Sequence, residues 1–132
     1  MLQRMDLFPE LEPFLPSKDE HFSKAIDNQR FAESLLTTTR AEREWGIVAR
    51  FYSALHFIEA YLSIDERGTS SHESRRDVIR ALPELHAIAY DYRDLQNLAW
   101  NARYLCGPCT LNDVFLSSDR LLKIRRHIEA LV

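Results

Sequence analysis

Glycine and proline are scarce in this chain, at three and five among 132 residues. So few chain-reversing residues argue against a turn-rich β fold and favour long helices. Cysteine is scarcer still, at two, which leaves no second pair for a zinc site. Positive charge is not in excess: 17 basic against 20 acidic residues give a net charge of −3. Nucleic-acid binding would therefore need a local basic cluster, since bulk charge does not supply it. The first sixteen residues lack both a basic start and a continuous apolar stretch, so no signal peptide is read there. With few cysteines and no targeting signal, a cytoplasmic location is expected. An apolar run fit to cross a bilayer is missing too. The most apolar stretch, 45–62 (WGIVARFYSALHFIEAYL), is broken by Arg50, His56 and Glu59, so no membrane partner is expected.

What is present is helical periodicity on a chain of one-domain length, in which roughly two-thirds of the unfolded surface would be buried. Within 45–62, Val48, Phe51, Tyr52, Leu55, Ile58 and Leu62 recur at helical spacing. This stretch is expected to be the central helix of a bundle, over about 41–63. Tyr52, His56 and Glu59 share a strip along one edge of its apolar face. Before it, Ser17 and Glu20 have capping-box spacing for a helix starting near Lys18 and ending at the Thr37–Thr39 run. Residues 1–16, with Pro9, Pro13 and Pro16 among large apolar groups, read as an arm laid over the bundle or a neighbouring subunit. Residues 17–132 form the single domain.

A loop around Gly68 leads to a short helix with Ser71 as N-cap and Pro83 at its end. There His72 and Arg75 extend the stripe of Ile79 and Leu82, which places two polar residues beside the core. A helix over about 84–106 follows, with Leu85, Ile88, Tyr92, Leu95, Ala99, Ala102 and Cys106 on its stripe and Gly107-Pro108 as its stop. Thr110 and Asp113 open the last helix. The expected fold is all-α, a four- to five-helix antiparallel up-and-down bundle.

Three blocks, FYSALHFIEAYL, then SHESRR, then DYRDLQNLAWNARY, resemble those of bacterial proteins in the HEPN superfamily (higher eukaryotes and prokaryotes nucleotide-binding), with their FYxALHxxEAYL helix, SHxxR and YRxL…ARY. The similarity spans about 45–104. It departs at Ala99, where an LSxxARY block would carry Ser. The resemblance implies a HEPN-like bundle, commonly a homodimer. It also implies either a metal-independent endoribonuclease of toxin or defence type, or a non-catalytic module partnered with an antitoxin or a nucleotidyltransferase. RNA or a nucleotide is the implied ligand, with no cofactor. The ribonucleases carry R-x(4–6)-H, in which Arg steadies phosphate and His moves a proton.

Four pairs match that spacing: Arg67–His72, Arg50–His56, Arg80–His86 and Arg120–His127. Helix geometry weakens each. Six residues along a straight helix leave two side chains about 120° apart, so Arg50 and His56 diverge. Arg120 and His127 share a face but sit about 10 Å apart along the axis. Arg67–His72 spans a loop, and Arg80–His86 spans Pro83. A better constellation gathers side chains from three helices. His56, His72 and Arg103 would be catalytic, with Tyr52, Arg75, Tyr92 and Tyr104 around the substrate phosphate. Arginine holds phosphate oxygens bidentately, a near-neutral histidine moves the 2′-hydroxyl proton, and tyrosine stacks on bases. The competing reading is a buried polar network that fixes the packing, with Glu59 paired to Arg75 or Arg103. Cys106-Gly107-Pro108-Cys109 also spells the thioredoxin redox sequence. Its first cysteine, however, ends a helix rather than starting one, the wrong pole for thiol activation.

Overall fold

The computed structural model describes residues 15–65, 68–69 and 71–132. Most of the proline-containing arm (1–14), and Arg67 of one R-x4-H match, lie outside them. Among the described residues every regular element is helical.

Reciprocal capping boxes start four of the five α-helices. Ser17 and Glu20 open α1 (Lys18–Ser34), and Thr39 and Glu42 open α2 (Arg40–Ser63). Ser71 and Ser74 open α3 (His72–Ala81), and Thr110 and Asp113 open α5 (Leu111–Leu131). Each box satisfies amide groups that the first helical turn leaves without partners. The Thr37–Thr39 run is not the end of α1, which stops at Ser34. Thr39 instead takes the Glu42 amide as the next N-cap, a T-x-x-E signal that the expected boundary overlooked.

The expected helix over 84–106 is shorter and broken at its start. Pro83–Leu85 forms a 3-10 turn, and α4 runs His86–Tyr104. Leu105 leaves α4 in extended conformation at φ −97°, so the helix ends before Gly107 and uses no left-handed glycine.

Contacts fix the topology. His21 and Phe22 of α1 meet His56 and Phe57 of α2, while Ala25, a turn later, meets Ser53, a turn earlier, so the pair is antiparallel. Tyr52 meets Arg103 while Tyr61 meets Glu84, so α2 and α4 are antiparallel as well. Arg120 of α5 meets Asp94 while His127 meets Glu84, which reverses α5 against α4. The four long helices therefore run up and down, with α3 inserted in the α2–α4 connection. Central α2 packs against α1, α4 and α5 and buries residues on most of its circumference, including Ile47, Phe51, Ala54, Phe57, Ile58 and Leu62. Burial on several sides is what its near-continuous apolar sequence requires. Among the described residues, no helix is long and apolar enough to cross a membrane.

Candidate functional site

Ordinary helix spacing on α2 presents Tyr52, His56 and Glu59 toward three different neighbours, and the predicted cluster divides accordingly into an inner and an outer part.

The inner part is an ion pair. Arg75 of α3 donates from Nε to Glu59 Oε1 at 2.9 Å, and the two residues are only 6% and 5% exposed. Its Nη1 lies 3.4 Å from the Tyr92 hydroxyl of α4 and 3.2 Å from His72 Nδ1. Glu59 also accepts from the Thr69 amide at 3.3 Å and from the Thr69 hydroxyl. A carboxylate with this many donors and a guanidinium with three acceptors meet the requirement that buried charges be paired and hydrogen-bonded. Arg75 and Tyr92 thus join α2, α3 and α4 inside the bundle, away from solvent. Burial, the largest effect, raises the Tyr92 pKa.

The outer part lies around Phe51. Its ring centroid is 5.6 Å from that of His72, 5.4 Å from Tyr52 and 5.7 Å from Tyr92, and the Arg103 guanidinium carbon is 5.9 Å away. Arg103, half-buried, donates from Nη1 to the Tyr52 hydroxyl at 3.1 Å and from Nε to the Ala99 carbonyl at 3.3 Å. Its guanidinium also lies over the rings of Tyr52 and Tyr104, at 5.9 and 5.3 Å. Among the described residues it has no carboxylate partner. Exposed Tyr104 is also 5.3 Å from the ring of Trp100.

His72, at the exposed first position of α3, has a defined proton arrangement. An arginine can only donate, so His72 Nδ1 must be the acceptor from Arg75, and the neutral ring carries its hydrogen on Nε2. Partial burial lowers its pKa, and Arg75, Arg103 and Arg76 lower it further. In this arrangement His72 can offer a proton to an anionic oxygen but has no free lone pair to remove one.

His56 does not join this group. Its Nδ1 lies 3.1 Å from Nδ1 of His21 on α1, so one ring must donate and the other accept. Burial pushes the His56 pKa down to about 4, with help from His21, Lys24 and Arg75; His21 is lowered by burial too. His21 and Phe51 were absent from the expected site. Phe51 was assigned to the apolar stripe, which is correct for its backbone position but silent on its edge contacts. His21 was legible in principle: an antiparallel α1–α2 hairpin turning at 35–39 brings position 21 opposite the mid-fifties.

None of the described R-x(4–6)-H matches forms a pair. Arg50 lies back over Gly46 while His56 meets His21. The Arg80 guanidinium pairs with Asp77, and His86 meets only the Arg80 carbonyl. Arg120 pairs with Asp94 and Asp119, and His127 donates to the Glu84 carbonyl. Cys106 is exposed and Cys109 buried, both as free thiols. Burial raises the Cys109 pKa, and Asp113 and Glu44 add to the rise, the reverse of what an activated thiol needs. Among the described residues no cluster of three or more His, Cys, Asp or Glu is placed to hold a metal ion. The chain matches no family model, no curated protein and no solved structure.

Proposed function

We propose that this chain is a HEPN-like domain that binds RNA or a nucleotide through Arg103, Tyr52, His72 and Tyr104, without cleaving it. One observation carries this reading: Arg103 is half-buried, stacked among aromatic rings and free of any carboxylate among the described residues. A guanidinium held by a neutral phenol and a carbonyl keeps its full charge for an anionic ligand. His72 adds a donor from Nε2, exposed Arg76 adds positive charge, and Tyr104 offers a face for a base. Proton placement supports binding without catalysis, since the Nδ1 lone pair of His72 is already held by Arg75 and His56 is engaged with His21.

The test is titration of the protein with ribonucleoside monophosphates, beside incubation with mixed RNA in EDTA. Binding should weaken about tenfold to a hundredfold in Arg103→Ala, the worth of one charge-assisted hydrogen bond, and RNA should stay intact. Unchanged binding in that variant removes the proposal. RNA cleavage that His56→Ala abolishes would replace it with the ribonuclease reading. A second reading, a non-catalytic module docking a partner such as an antitoxin or nucleotidyltransferase, is favoured by a separate observation. Phe31, Leu36, Trp45, Leu111 and Phe115 are exposed toward the bundle end that holds the α1–α2 and α4–α5 loops.

A further inference from the structure

Helix α4 presents a solvent-facing strip whose composition differs from the rest of the surface. At about 100° per residue, His86, Tyr90, Arg93, Asn97, Trp100, Asn101 and Tyr104 fall within an arc of roughly 100°. All seven are exposed, and Tyr90, Trp100 and Tyr104 remain 68%, 50% and 62% accessible. The chain holds 20 acidic residues against 17 basic, yet this arc has no carboxylate. The nearest acids of α4, Asp91 and Asp94, lie at its flank, where Arg120 pairs with them at 4.0 and 2.8 Å and with Asp119 at 2.6 Å. Arg93 has no ion pair among the described residues. An arginine lies over a tyrosine at each end: Arg120 over Tyr90 at 5.7 Å and Arg103 over Tyr104 at 5.3 Å.

We infer that the outer face of α4 is a stacking platform for a single-stranded polynucleotide, running from the Arg103 cluster to Tyr90. Aromatic faces at intervals, a backbone-tracking arginine and amides between them are what sequence-tolerant single-strand binding uses. Tyr90 to Tyr104 spans about 21 Å of helix axis, room for a run of roughly four nucleotides, the lower end of known site sizes. The complementary charge selects the occupant, because an acid-free aromatic strip on an acidic protein suits a polyanion with flat bases. Duplexes hide those faces inside the stack and should gain little from it. The inference rests on the proposed nucleotide reading and extends it from one anchoring phosphate to a path.

The test compares a short oligouridylate, a duplex of the same length and UMP as ligands for wild type, Tyr90→Ala and Arg93→Glu. Both substitutions are on the surface and away from Arg103, so the fold and the anchor are left intact. The oligomer should bind about tenfold more weakly in each variant, while UMP binding stays unchanged. In a Trp45→Phe background, the oligomer should also quench Trp100 fluorescence. Equal oligomer affinity in wild type and both variants overturns the platform, as does a duplex that binds as tightly as the single strand. If UMP binding still depends on Arg103 in that event, the anchor stands and only the path falls. If neither UMP nor oligomer binds wild type, both fall together. Sedimentation of the same variants covers the competing occupant. Loss of a dimer in Tyr90→Ala, with oligomer binding intact, would assign the strip to a second copy of the chain.

Discussion

Arg75 and Arg103 both lower the pKa of the same histidine, His72, and their surroundings give them opposite work. Arg75 faces Glu59 inside the bundle, with side-chain exposure of 7% and 6% for the two partners. Arg103 faces a phenol and a carbonyl at the rim. Removing one partner of a buried pair leaves the other charged and without compensation, which costs about 3–5 kcal/mol. Arg75→Ala should therefore lower unfolding stability by that amount in urea titration. Arg103→Ala should cost about 1 kcal/mol, the net value of a hydrogen bond, while losing ligand affinity. A stable Arg75→Ala protein with impaired nucleotide binding would reverse these roles. From the sequence, Glu59 had two candidate partners, and the choice depended on whether α3 brings Arg75 or α4 brings Arg103 against that part of α2.

Pairs of helices carry the pH response. The α1–α2 hairpin is fastened at one end by Phe22 against Phe57, by Ser53 bonded to the Ala25 carbonyl at 2.7 Å, and by the His21–His56 contact. The charges facing this histidine pair are Glu20 and Lys24 from α1, Glu59 from α2 and Arg75 from α3. In the unfolded chain His56 takes up a proton near pH 6.5, but in the fold only near about 4. The unfolded state therefore binds more protons across that window. The contribution of His56 to stability is fully present above pH 6.5 and is lost progressively as pH falls toward about 4. His56→Gln, which keeps a polar side chain but does not titrate, should flatten the urea midpoint against pH in that range. An acid slope identical to wild type would show that the pair does not control it.

Across the whole molecule, the up-and-down path places Cys106 and Cys109 in the α4–α5 loop, beside the start of α2. Arg40 donates to the Cys106 carbonyl at 3.3 Å, and Arg43 donates to the Cys109 carbonyl at 2.6 Å and to that of Thr37 at 2.8 Å. Two loops are thereby held to one helix N-terminus, and the Cys109 thiol is shielded while Cys106 is open. Thiol labelling at neutral pH should modify one cysteine per folded chain, and the second only in denaturant. Fast modification of both would mean that this end of the bundle opens in the native state.

The sequence by itself determined that the chain is helical and where three of its helices start, because apolar spacing and S/T-x-x-E/D boxes act within a turn or two of the chain. Ser17, Ser71 and Thr110 start their helices as their spacing requires, and α2 is central because it is apolar on nearly every side. Local signals were also enough to show that Arg50 and His56 diverge, since a single helix fixes that angle. The outcome at the candidate site was decided only by tertiary structure. Whether Arg75 or Arg103 meets Glu59, and whether His56 faces the α4 cluster or His21, depend on distances between helices. A side-chain pattern along one helix defines a face, but the charge and proton state of that face are set by what the neighbouring helices bring to it.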